Sequence, residues 1–202
     1  MTCIVGLVED GYIFMGGDRC GGDVDTYRVT TIASPKVFAK GSRVSDQPEM
    51  IIGYTSSFRL GQLLQYDLVL PKIDCEGLGM VYMVKKFIPA VHDLLQNAGW
   101  VFKKDDRHYG GNFLVGAFGA LYEIDSDFAI IELPGLGAVG CGGAYALGAM
   151  DALANSCPNQ STRISYALSA AARFNAFVMP PFDAVRLPEF PRGVPPASSI
   201  KS

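Results

Sequence analysis

Two histidines and no CxxC pair leave this chain little with which to hold a metal. His92 and His108 stand apart, and the cysteines fall into no zinc spacing. No metal and no cofactor is therefore expected. The five cysteines, Cys3, Cys20, Cys75, Cys141 and Cys157, are odd in number and widely spread. They read as free thiols of a reducing cytoplasm rather than a disulfide framework. A basic leader is also missing, and Glu9 and Asp10 come early, which argues against a secretory signal. Positive charge is not in excess: 17 Lys and Arg face 20 Asp and Glu, a net charge of -3. Neither nucleic acid nor an anionic membrane surface is expected as a partner. One stretch lacks charge altogether. Residues 133–150, "LPGLGAVGCGGAYALGAM", approach the length of a membrane span, but hold six glycines and a proline. A strand, a glycine turn and a helix start fit them better than one continuous helix.

What is present describes a globular chain. It has 202 residues, 49% hydrophobic and 18% charged, enough for one domain with a sizeable core. We read residues 1–202 as that domain, with a proline-rich tail, "LPEFPRGVPPASSIKS", from about residue 187. Residues 2–8 and 12–17 are apolar runs flanking Asp10-Gly11, a strong hairpin signal. "SPKVFAK" and "EMIIGYT" read as the next two strands, and the polar stretch 18–34 between as a loop with a short strand. Helical spacing runs from residue 57 to about 70, and again over "LGMVYMVKKFIPAVHDLLQNAG" to near Gly99, with a kink expected at Pro89. "NFLVGAF", "ALYEID" and "FAIIEL" read as strands, and "AVGCGG" closes that set. Helices follow over "AYALGAMDALANS" and over about 162–177. His92 reads as a surface or capping residue, and His108 as part of a mixed-charge loop. Blocks of strands alternating with blocks of helices predict two packed sheets with helices outside.

The N-terminus carries the chemistry. A threonine with a free α-amino group is a complete nucleophile: its hydroxyl attacks and its own amine, with a pKa near neutrality, takes the proton. Such a site needs a cation, a carboxylate to position it, and a backbone N–H for the oxyanion. Thr2 becomes N-terminal if Met1 is removed. Asp18 follows the second strand of the hairpin, which returns it to the height of Thr2. Lys36 lies in an otherwise apolar strand, and Ser56 at a strand-to-helix turn, where backbone N–H groups gather.

At these positions the chain resembles the β-type subunits of proteasomes and the bacterial peptidase HslV, members of the N-terminal-nucleophile hydrolases. "TCIVGLVEDGYIFMGGDR" follows the family opening, with Asp18 at the family spacing from Thr2. "SPKVFAK" resembles the strand carrying the active-site lysine. "MIIGYTSSFRLGQLL" resembles the strand, turn and helix of the oxyanion hole, and "AVGCGGAYALGAMDAL" the Gly-Ser-Gly segment opening the third helix. The likeness implies an α+β fold, a four-layer αββα sandwich, with peptide-bond hydrolysis and assembly into a ring or dimer. It implies Thr2, Asp18 and Lys36 as catalytic residues, supported by Arg19, Ser56 and Cys141. Three departures stand out. Ser56 replaces the oxyanion glycine, Cys141 replaces the supporting serine, and Arg173 or Asn175 stands where the family has a helix aspartate. Asp183 in "PPFDAV" lies nearby without a place in the pattern.

The sequence therefore predicts a cytoplasmic threonine-dependent peptidase or amidohydrolase. It acts on peptide or protein, as a homo-oligomer, with no visible docking motif for an unfoldase. The alternatives are an inactive structural or assembly subunit on the same fold, and an amidase for a small amide.

Overall fold

The computed structural model describes residues 2–23, 26, 28–41, 48–73 and 78–187. Met1, Cys75 and the proline-rich tail beyond 187 lie outside them. The chain opens with β1 (Ile4–Glu9) and β2 (Tyr12–Asp18), joined through Asp10 and Gly11 at φ 52° and 81°. Two central residues with positive φ make the type I′ turn that Asp-Gly favours. Next come β3 (Cys20–Asp23), β4 (Arg28–Thr31), β5 (Val37–Lys40) and β6 (Met50–Tyr54). β3 and β4 pair with each other, so the stretch read as a loop with one short strand is a hairpin of two.

Helix α1 (Phe58–Gln62) is capped by the Ser57 hydroxyl, which accepts from Arg59 N, and continues as a π turn over Leu63–Asp67. It stops short of the expected residue 70. Helix α2 (Met80–Tyr82) runs through a second π turn, Met83–Phe87, into α3 (Ile88–Asn97). The π turn ends just before Pro89, where the sequence suggested a kink; proline has no N–H to give to the turn before it.

The "KKDDRHYGG" segment is not a loop but a hairpin of β7 (Phe102–Lys104) and β8 (Arg107–Tyr109). Asp105 and Asp106 supply the two positive φ values at its tip. Strands β9 (Phe113–Ala117), β10 (Ala120–Ile124), β11 (Ile130–Leu133) and β12 (Leu136–Val139) follow, then helices α4 (Gly143–Leu153) and α5 (Gln160–Phe174). A final strand, β13 (Phe182–Leu187), was not expected from the sequence. The uncharged run 133–150 divides between β12, a turn at Gly140 and α4, and among the described residues no helix is long and apolar enough to cross a membrane.

Two antiparallel sheets stack face to face, ordered β12-β1-β2-β13 and β11-β10-β9-β6-β5. β12, expected to close the strand set before it, instead pairs with β1 in the other sheet. Three apolar layers hold the sandwich. Ile4, Ile13, Met15, Ile51, Leu114 and Leu121 fill the space between the sheets. Cys3, Val5 and Leu7 face α4 and α5, while Met50, Ile52, Phe113 and Val115 face α1 to α3. Alternation along each strand sorts side chains to the inner or outer layer, and burial on both faces explains why β1, β6 and β9 read as continuous apolar runs. The result is the four-layer αββα sandwich.

Candidate active site

The hairpin register sets the site. β1 and β2 pair Ile4 with Gly17, so Thr2 and Asp18 emerge side by side at the same end. β5 and β6 bring Lys36 to that end from the other sheet, and Tyr54 N donates to the Lys36 carbonyl at 3.1 Å. Thr2, Asp18 and Lys36 are 1, 0 and 2% exposed. The Thr2 hydroxyl donates to Asp18 Oδ1 at 3.1 Å. Lys36 Nζ lies against both Asp18 oxygens, at 3.1 and 3.0 Å, and donates to Thr2 Oγ1. Asp18 is itself held by two backbone donors, Cys3 N at 2.8 Å and Cys20 N at 2.7 Å. A carboxylate fixed this way cannot swing from the lysine, which makes it a positioning group.

Electrostatics sharpen the picture. Burial lowers the Lys36 pKa from its ordinary 10.5, against the opposing pull of Asp18. Burial, with Asp18 adding to it, pushes the Cys3 thiol up to about 12. Cys3 therefore holds its proton at neutral pH and is no rival nucleophile.

The other sequence-predicted residues fall into two groups. Ser56 shares a cleft with Thr2. Its φ of 67° is the left-handed conformation glycine adopts without cost, so the serine carries a backbone shaped for glycine. Its hydroxyl is tied to Thr55 Oγ1 at 3.2 Å and accepts from Asn112 N at 3.2 Å. Cys141 reaches Thr2 through the Thr2 backbone, its thiol 3.5 Å from the Thr2 carbonyl oxygen. Gly142 N also donates to that carbonyl, at 3.3 Å. Arg19 stands apart: its guanidinium forks onto Asp183, at 2.7 and 2.6 Å, and donates to Ala33 O at 2.5 Å. That fork ties the end of β2 to β13, and it gives Asp183 a place away from Thr2.

Asn175, singled out only for not being a carboxylate, takes part. It caps α5, donates to the Cys141 carbonyl at 2.9 Å and accepts from the Cys141 thiol at 3.5 Å. A helix-ending Asn in "RFNAF" was the available signal. The cleft beside Thr2, about 210 Å³, is walled by Lys36, by Gly22 of β3, and by Tyr54 to Phe58 at the β6–α1 turn. The histidines lie elsewhere: His92 Nε2 and His108 Nδ1 are 2.8 Å apart in parallel rings, with Phe128 edge-on. His92, read from the sequence as a surface or capping residue, is half-buried between His108 and Phe128. Among the described residues no group of three or more His, Cys, Asp or Glu could hold a metal.

No family model and no curated protein matches the chain. Solved structures do. BPH from Thiobacillus denitrificans, in complex with epoxomicin, matches with a TM-score of 0.73 at 17% identity, over 94% of this chain and all of the other. Eukaryotic HslV from Trypanosoma brucei matches with a TM-score of 0.62 at 19% identity, over 92% of this chain and 99% of the other. Anbu from Yersinia bercovieri gives 0.60 at 14%, over 92% and 81%. These three are proteasome-like N-terminal-nucleophile hydrolases, and the chain carries their fold.

Proposed function

We propose that the protein is a threonine-dependent peptidase of the proteasome-like class, active once Met1 is removed. The observation that carries this is the buried contact of Thr2 Oγ1 with Lys36 Nζ and Asp18 Oδ1 at the wall of an open cleft. The Thr2 oxygen attacks the substrate carbonyl carbon, and the new α-amine takes the hydroxyl proton. Lys36 keeps that amine neutral and favours the developing alkoxide. The Ser56 N–H receives the oxyanion. The C–N bond breaks, the proton passes to the leaving amine, and water, with the α-amine again as base, cleaves the acyl ester. Neither metal nor cofactor enters. The substrate is a peptide or protein chain. The working form in this reading is a homo-oligomer, in which exposed rings such as Tyr66, Phe102, Tyr166 and Phe174 would be available for contacts between copies.

One observation favours a second reading, an inactive assembly subunit on the same fold: the residue that stands in for the resembled family's helix aspartate, Arg173 or Asn175, is not a carboxylate, and Asn175 bonds to Cys141 rather than to Thr2. Intact mass after incubation with a peptide epoxyketone separates the two. A protein lacking Met1 and carrying one adduct on Thr2 supports the peptidase. Retention of Met1 with no adduct overturns it and leaves the scaffold. Turnover of small amides without cleavage of unfolded protein points to an amidase instead.

A further inference from the structure

The turn that carries the Ser56 N–H is held from one residue, Asn112. Strand β6 pairs with β9, Tyr54 opposite Phe113, so the next step of the ladder sets Thr55 opposite Asn112. There Thr55 N donates to Asn112 O at 3.1 Å, and Ser57 N turns back onto Thr55 O at 2.7 Å. A bond from residue i+2 to residue i around a central φ of 67° is the strained form of the γ-turn. An L residue is unfavourable at its centre. The hydroxyls compensate. Thr55 Oγ1 donates to Asn112 O at 2.9 Å, which leaves Ser56 Oγ to donate to Thr55 Oγ1 at 3.2 Å while it accepts from Asn112 N at 3.2 Å. The N–H and C=O of one residue therefore hold both residues of the turn. Ser56 N itself donates to no atom among the described residues. Asn112 is fixed in its turn by its side chain. Its Nδ2 donates to Asp125 Oδ1 at 2.8 Å, and the same oxygen accepts from Ser126 N at 2.6 Å. Asp125 N donates to Ala129 O at 2.9 Å and Phe128 N to Asp125 O at 3.0 Å, which closes the turn after β10.

Resting on the peptidase reading, we propose that Asn112, anchored by Asp125, is a positioning residue for the oxyanion step: its backbone clasps the Thr55-Ser56 turn and keeps Ser56 in the conformation that serves the cleft it shares with Thr2. A glycine would take this φ without cost. A serine takes it because the clasp holds it there. Loosened, the serine falls back to negative φ, and the peptide that carries its N–H turns with it. Asn112 touches no reacting atom. It acts through Ser56, and Asp125 acts through Asn112. A preorganised donor counts when negative charge develops on the substrate oxygen, not when the substrate first binds, so the effect belongs in kcat rather than in KM.

The test uses the Met1-free protein and one fluorogenic peptide. Asn112→Ala should lower kcat about tenfold with KM held within about twofold, since a serine released from positive φ leaves it by about that factor. In protein that also carries Ser56→Gly, the same Asn112→Ala change should cost only about twofold, because glycine takes either sign of φ about equally. A role in packing alone would cost the same in both backgrounds. Asp125→Ala should repeat the loss in kcat. Asp125→Asn keeps an acceptor oxygen for Asn112 Nδ2 and Ser126 N, and should restore most of it. Urea unfolding of each variant shows that the fold is retained, and the Asp125 pair decides the matter should Asn112→Ala fail to fold. An unchanged kcat in Asn112→Ala, an equal loss in both backgrounds, a change confined to KM, or an Asp125→Asn as impaired as Asp125→Ala overturns this assignment. In those cases an epoxyketone adduct on Thr2 of the unaltered protein leaves the peptidase standing. No cleavage of the peptide, together with no adduct, overturns both.

Discussion

Lys36 sits at the bottom of the sandwich with almost no water around it, and every functional consequence at the residue scale runs through it. Replacing it with alanine leaves the Asp18 carboxylate buried without a cation, which costs about 3 kcal/mol of stability. The same change should lower turnover at least about 100-fold, read as the loss of peptide cleavage in protein that still shows a cooperative unfolding transition. The pH profile gives an independent check. Burial penalises the charged ammonium, so the lysine loses its proton below its ordinary 10.5. If the site needs a charged Lys36 and a neutral α-amine, kcat/KM rises with pH through the amine, near about 8, and falls again before 10.5. An arginine at this position stays charged and should abolish the alkaline fall. An alkaline limb at or above 10.5 in the unaltered protein would count against Lys36 as the required cation. That Thr2, Asp18 and Lys36 come together was legible from the hairpin spacing, the lysine in an apolar strand and the family resemblance, not from Thr2 alone. Asn175 was not, because a helix-ending asparagine looks the same whether it caps a helix or holds a neighbouring loop.

Elements carry their own tests. The inner faces of β1, β6 and β9 hold Gly6, Gly53 and Gly116, and in each case a Cβ would come closer than 3 Å to a side chain of the opposite sheet. The sheets approach as closely as they do because those positions are empty. Gly53→Ala, whose Cβ falls 2.4 Å from Ile4 Cγ2 and 2.9 Å from Met15 Sδ, should destabilise the protein by about 1–3 kcal/mol. Gly148 in α4 is the control of opposite sign: it is exposed and nothing approaches its Cβ position. Gly148→Ala should stabilise by about 0.5–1 kcal/mol. Urea unfolding midpoints read both. At this scale the Asp10-Gly11 hairpin and the helical stretches follow from local chemistry. The β7–β8 hairpin escaped notice for a local reason, β13 for a non-local one. Strands of three residues carry too few alternations to show a period, and the Phe182–Leu187 strand is defined by what it pairs with.

The whole molecule presents a surface that does not look finished. Phe102 on the β7–β8 hairpin and Tyr166 on α5 are 57 and 55% exposed. An assembly that covers them would bury roughly 1.5–3 kcal/mol of transfer energy per ring. Light scattering should therefore return a mass that is a multiple of 21.7 kDa, and Phe102→Glu with Tyr166→Glu should shift it downward without changing the far-ultraviolet dichroism. A monomer mass across the working concentration range overturns the homo-oligomer.

The sequence alone determined the parts whose causes are local: the type I′ turn at Asp10-Gly11, the apolar runs that become buried strands, the helix spacing, and a lysine standing out in an apolar strand. Only the tertiary structure decided what those parts meet. Pairing of β1 with β2 set Asp18 beside Thr2, stacking of the second sheet delivered Lys36 from 34 residues away, and the capped end of α5 brought Asn175 to Cys141. Arg19, adjacent to Asp18 in sequence, was drawn to Asp183 across 164 residues instead. Successive residues in a strand point to opposite faces, so neighbours along the chain part company, while distant residues on one face of two sheets are brought into contact.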